Sequence, residues 1–96
     1  MIATPLHMDV RVAPQRYVVS TTHEDDTVLL DVKSARYYSL NAVGGDVWAA
    51  LCERDSLATI ADRIVERFGI ARQTVETDIL DLVGQLLTAS LVERVA

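Results

Sequence analysis

The sequence predicts an α+β domain in which a three-stranded antiparallel sheet is followed by three helices, the order of a winged helix-turn-helix unit. Three observations carry this. β-branched and aromatic runs lie in the first forty or so positions; apolar residues then step by three and four from Leu57 to Phe68 and again from Val75 to Leu87; and polar or glycine-containing breaks separate the runs. At 96 residues the chain has room for one core and no second domain.

Taken in order, residues 1–15, with Pro5 and Pro14, show no sustained period and read as an N-terminal arm or an irregular first strand. Residues 16–96 are left as the folded domain. Tyr17-Val18-Val19-Ser20-Thr21 suits a strand, ended by the polar stretch 22–26. The runs 28–32 and 36–40, separated by Lys33-Ser34-Ala35, make a hairpin by spacing.

Asn41 stands where an N-cap belongs, because its side-chain oxygen can accept from a free amide of the next turn. The helix it starts runs to about Glu53, with Val43, Val47, Ala50 and Leu51 inward. Gly44-Gly45 inside it costs about 1 kcal/mol per residue relative to alanine, which implies a neighbour packed too closely for a side chain. The second helix turns Leu57, Ile60, Ala61, Ile64, Val65 and Phe68 to one side, with Asp55 or Ser56 as its cap and Gly69 as its left-handed stop.

The third helix begins between Arg72 and Thr74 and carries Val75, Ile79, Leu82, Val83, Leu86 and Leu87. Leu80 and Leu87 widen its apolar arc to about half the circumference, beyond the ~100° that one core requires. Such an arc either serves a second surface or meets the first strands and a closing strand at 91–95.

Fourteen acidic residues against nine basic ones give a net charge of −5, which repels phosphate backbones and anionic lipid. The third helix carries Glu76, Asp78 and Asp81 with Arg72 as its only base, the wrong sign for a recognition helix, so nucleic acid is disfavoured as a partner. These carboxylates, like Asp25-Asp26, read as solvated surface charges. No apolar run approaches the ~20 residues of a bilayer span, and the N-terminal stretch lacks the basic start of a secretion signal; a cytoplasmic location without membrane attachment is expected.

Cys52 beside Trp48, Ala49, Ala50 and Leu51 reads as a small buried hydrophobe rather than a reactive thiol. His7 and His23 belong to no metal-ligand spacing, and no nucleophile–base pair, phosphate loop or dinucleotide fingerprint is present. No catalytic residue, metal or cofactor is expected. A short aromatic strand beside helices suits instead a module that grips another polypeptide. A winged-helix DNA-binding or generic protein-interaction module is the alternative.

The run Val28-Leu29-Leu30-Asp31-Val32 to Tyr37-Tyr38-Ser39-Leu40-Asn41, the helix Asn41-Ala42-Val43-Gly44-Gly45-Asp46-Val47-Trp48, the repeat 57–68 and the ending Asp78-Ile79-x-x-Leu82-Val83-x-x-Leu86 together resemble the PqqD-like proteins. Those proteins are the recognition elements for leader peptides of ribosomally made, modified natural products. The likeness covers roughly residues 16–95 and looks most like the stand-alone members of lasso-peptide clusters.

The resemblance implies that a precursor leader adds as a strand beside Arg36, Tyr37, Tyr38, Ser39 and Leu40. Its side chains then press into a cleft walled by Val75, Asp78, Ile79 and Leu82. It also implies delivery to a separately encoded cysteine protease, the leader peptidase, and to a macrolactam cyclase, with no enzymatic activity in this chain. Because neighbouring strand residues alternate faces, only one of Tyr37 and Tyr38 can line that cleft, and the other is expected to serve the core. Leu40 shares a face with Tyr38 and should be buried, and Trp48 should anchor the core. The chain departs from the family pattern at Thr88-Ala89-Ser90-Leu91, where relatives place glycine, which puts the left-handed turn after the third helix in question.

Overall fold

A computed structural model describes residues 6–95. Its elements are β1 (Arg11–Pro14), β2 (Val18–His23), β3 (Asp26–Asp31), β4 (Arg36–Leu40), α1 (Ala42–Cys52), α2 (Leu57–Phe68), α3 (Arg72–Thr88) and β5 (Val92–Val95). β2, β3 and β4 form one antiparallel sheet in that order, while β1 and β5 form a separate two-stranded ribbon. The α+β order of a three-stranded sheet followed by three helices is therefore present.

The β2–β3 hairpin is longer than its apolar core suggests. Thr22 pairs with Thr27 and His23 with Asp26, leaving only Glu24 and Asp25 as the link. The polar stretch 22–26 does not end the strand, because the ladder is a backbone property and most of this tip faces water, where polar side chains cost nothing. Glu24 takes φ 57° there, a position that turn chemistry usually gives to glycine. At the β3–β4 turn the buried Asp31 does the organising: its Oδ1 accepts from the amides of Lys33 at 2.9 Å and Ser34 at 3.2 Å. Burial pushes the Asp31 carboxyl up, but the hydrogen bonds from Ser34 and Lys33 and the charge of Lys33 together outweigh it and hold the group below its ordinary value.

Helix ends follow their local chemistry. Asn41 caps α1 by accepting from Gly44 N at 2.9 Å, and Ser56 caps α2 by accepting from Thr59 N at 3.3 Å. The N-terminal segment satisfies two further amides of α2: Leu57 N donates to Val10 O at 3.0 Å and Ala58 N to Met8 O at 2.8 Å. After α3, Ser90 adopts the left-handed conformation at φ 61°, with Ser90 N donating to Leu87 O and Leu91 N to Leu86 O. This is the Schellman pattern, formed without the glycine that usually supplies it. Arg54 (φ 63°) plays the same part after α1, and Gly69 (φ 66°) ends α2 as expected.

The core gathers Leu29 of the sheet, Val47, Trp48 and Leu51 of α1, Leu57, Ile60 and Ile64 of α2, and Val75, Ile79 and Val83 of α3. Trp48 is 4 % exposed, and its indole N–H has no acceptor among the described residues, a cost set against the large apolar area it buries. Val12 of β1 and Val92 of β5 close the same core. The segment before residue 15 that showed no period thus has a strand within it, tied to the chain's other end by Arg11↔Val95 and Pro14↔Val92.

The tight neighbour that Gly44-Gly45 implied is the sheet. A Cβ on Gly45 would lie 2.6 Å from Thr27 Oγ1, and one on Gly44 would lie 3.3 Å from Leu40 Cβ. Cys52 departs from expectation: it is exposed, because the last turn of α1 carries it off the core face. Partial burial and the Glu53 carboxylate nevertheless raise its thiol above the ordinary value, so it is not activated as a thiolate.

Candidate peptide-binding groove

The β3–β4 register decides which face each β4 side chain takes. Leu29 lies opposite Tyr38 and Thr27 opposite Leu40, so Arg36, Tyr38 and Leu40 share the inner face, while Leu30 opposite Tyr37 and Val28 opposite Ser39 mark the outer one. β4 hydrogen-bonds only to β3 among the described residues, and its far side is an open edge. Alternate residues along that edge present unpaired backbone N–H and C=O groups. Residues 8–14 do not cover it, since they are engaged by α2 and β5.

Alongside the edge runs a groove of about 420 Å³. Its β4 side is Ser39, Leu40 and the capping Asn41; its end wall is Val43, Gly44 and Val47 of α1 with Ile64 and Ile70; its far wall is Val75, Asp78, Ile79, Asp81, Leu82 and Gln85 of α3. A more open hollow continues it between Arg36 and Tyr38 on one side and Gly84, Thr88 and Ala89 on the other, with Asp81 and Gln85 shared by both. α3 therefore runs antiparallel to β4 along the groove. The floor is apolar and already packed, with Val47, Ile64, Val75 and Ile79 all nearly inaccessible, while Val43, Ile70 and Leu82 are half-buried at its rim. Nothing in such a lining performs chemistry; it offers backbone hydrogen bonds on one wall and apolar surface on the other.

Of the residues named from sequence, Ser39, Leu40, Val75, Asp78, Ile79 and Leu82 line the main groove, and Arg36 and Tyr38 line its continuation. Tyr37 lies apart, 71 % exposed on the outer face, so the second tyrosine does not serve the core. Cleft and core share the inner face of the sheet, and alternation leaves Tyr37 outside both. Sequence reasoning missed Asn41, Val43, Gly44, Val47, Ile64, Ile70, Asp81 and Gln85 as lining. Asp81 and Gln85 continue from Asp78 at i+3 and i+7 on the same helical face and could have been found by extending that row. Val43 and Ile70 come from other elements.

The charges are arranged unevenly. Arg63 pairs with Glu53 at 3.0 Å and Asp55 at 3.3 Å, Arg67 with Asp46 at 2.9 Å, and Arg72 with Asp62 and Glu76. Hydrogen bonds from Arg72, to Asp62 first and Glu76 second, keep its guanidinium firmly protonated. The base that sequence placed on α3 is thus committed within the protein. No group of three His, Cys, Asp or Glu side chains among the described residues could hold a metal ion, and no described helix is long and apolar enough to cross a membrane.

The sequence profile described as coenzyme PQQ synthesis protein D (PqqD) matches residues 26–92, the span from the start of β3 to β5. The chain belongs to the PqqD family. Among solved structures, TbiB1 in complex with the TbiA(beta) leader peptide is similar at 33 % identity and a TM-score of 0.80, over 88 % of this chain and 98 % of that one. Lasso peptide synthetase B1 complexed with the leader peptide shares the PqqD fold at 23 % identity and a TM-score of 0.79, over 86 % of this chain and 98 % of that one. No curated protein matches.

Proposed function

We propose that this PqqD family member binds the leader segment of a ribosomally synthesised precursor peptide as a fourth strand on β4. It then delivers that segment, in the cytoplasm, to a separately encoded cysteine protease and a macrolactam cyclase in lasso-peptide biosynthesis, performing no reaction of its own. The observation that carries this reading is the open edge of β4 lying directly beside an apolar groove against α3. The likeness to TbiB1, which is described with a leader peptide bound, supports it.

Energetics say why the groove matters as much as the edge. Ordering a free peptide costs about 1–2 kcal/mol per residue, and each new backbone hydrogen bond returns only about 0.5–1.5 kcal/mol. Strand pairing alone breaks even at best. Each large apolar side chain buried against Leu40, Ile79 and Leu82 adds about 1.5–3 kcal/mol, so about three to five of them supply the roughly 8 kcal/mol of a micromolar Kd. β2 is also an edge of the sheet, but it contributes no residue to the groove or its continuation.

The test is a calorimetric titration with the synthetic leader of the precursor encoded beside this chain, together with a copy N-methylated at alternate backbone amides and with duplex DNA. Binding at micromolar Kd or tighter, lost on N-methylation and absent for DNA, is expected. Binding to DNA with none to the leader refutes the reading. Delivery is tested separately by adding the protein to leader cleavage by the protease: no change in cleavage rate refutes that part.

A further inference from the structure

Resting on the reading of the groove as a strand-addition site, we infer that the segment it takes carries a lysine or arginine lying against Asp78 and Asp81, with apolar groove-facing neighbours. Both carboxylates line the groove, and Asp81 also reaches its continuation. Three residues apart on α3, they are neighbours on one helical face. Neither has an ion-pair partner among the described residues, whereas the arginines of α2 and α3 are spent on Asp46, Glu53, Asp55, Asp62 and Glu76 elsewhere. Arg36 shares the hollow with Asp81 and forms no ion pair with it.

The charge then decides the occupant. A docked strand strips water from whatever faces it, and covering two like charges with an apolar segment penalises binding through both desolvation and repulsion. A cation on the guest reverses the sign of that contribution. Lysine and arginine also suit the groove's shape: their aliphatic stems can lie along Leu82 while the charged head reaches the carboxylates at the rim. Arginine is the better fit where both oxygens of one carboxylate are offered. Strand alternation places the apolar partners two positions to either side, on the same groove-facing side of the guest.

The experiment is selection from a ribosome-display library of short random peptides against the wild-type protein and against Asp78→Lys/Asp81→Lys. With wild type, lysine and arginine are enriched at one position between apolar positions two residues away; with the charge-reversed protein the enrichment passes to Asp and Glu. A selected peptide should bind Asp78→Asn/Asp81→Asn about 3- to 10-fold more weakly than wild type, with the difference shrinking as salt rises. Both residues are exposed and unpaired, so unchanged circular dichroism and Tm are expected of all three proteins. If charge reversal itself disturbs folding, the Asn variant still reports, through loss of the basic preference. Apolar peptides bound without any basic preference overturn this inference and leave strand addition standing. No bound peptide at all, or binding indifferent to N-methylation, overturns both.

Discussion

Gly45→Ala gives the most direct test of how α1 is seated on the sheet. A Cβ at this position would meet Thr27 Oγ1 at 2.6 Å, about 0.8 Å inside an ordinary 3.4 Å contact, and Thr27 is buried, so its hydroxyl has no solvent to move into. Overpacking of this kind costs about 1–3 kcal/mol. Alanine in place of glycine returns up to about 1 kcal/mol of helix propensity. The net is a loss of about 0–2 kcal/mol, and a central value of about 1 kcal/mol lowers Tm by about 4–8 °C for a domain of this size.

The sign depends on a single oxygen and its branch, which makes the double variant decisive. Thr27→Ala removes Oγ1 and leaves Thr27 Cβ 3.4 Å away, an ordinary contact. In that background Gly45→Ala should stabilise, by up to about 1 kcal/mol, because only the propensity gain remains. Urea denaturation of the four proteins should therefore show a coupling energy of about 1–3 kcal/mol. Additive effects, or a Gly45→Ala protein more stable than wild type, would refute the steric account of the glycine pair.

Ser90→Gly should raise Tm by a few degrees: relieving a left-handed residue returns about 1–2 kcal/mol, and glycine's extra chain entropy takes back about 0.5–1 kcal/mol, so a calorimetric scan showing a decrease would contradict the Schellman assignment. Ile79→Ala and Leu82→Ala should separate stability from binding. Ile79, 1 % exposed, should cost about 2–5 kcal/mol in chemical denaturation, whereas half-buried Leu82 should cost little stability and weaken leader affinity about tenfold in titration. Asp31 sets an acid dependence. Because its folded carboxyl is held below the ordinary value of 3.8, its contribution is fully present above that pH and lost as pH falls through the depressed folded value. Asp31→Asn should flatten the fall of the urea midpoint over that acid range relative to wild type, and an identical slope in the two proteins would sink the assignment.

Much of the fold was legible because it is written within a few residues. The Asn41 and Ser56 caps, the Gly69 stop and the stripe from Leu57 to Phe68 each depend on side chains one to four positions apart, and each is found as expected. The left-handed residue after α3 was legible only in part. Hydrogen bonds from Ser90 and Leu91 back to α3, and the Tyr17 hydroxyl donating to Ser90 O at 2.6 Å, hold a conformation that serine alone does not favour. Cys52 was misread because Trp48, Ala50 and Leu51 face the core from other angles of the same helix.

The candidate site divides along the same line. By itself the sequence determined a strand at Arg36–Leu40, its alternation and an acidic third helix with Arg72 as its only base, all consequences of local periodicity and charge. Only tertiary structure decided that β1 joins β5 across the whole length of the chain, which commits residues 11–14 elsewhere and leaves the far side of β4 unpaired among the described residues. It also decided that α3 lies antiparallel to that strand with Asp78 and Asp81 turned into the gap. The physical reason is that edge pairing and helix seating are settled by which distant surfaces bury each other best, a competition in free energy among whole elements that no window of neighbouring residues contains.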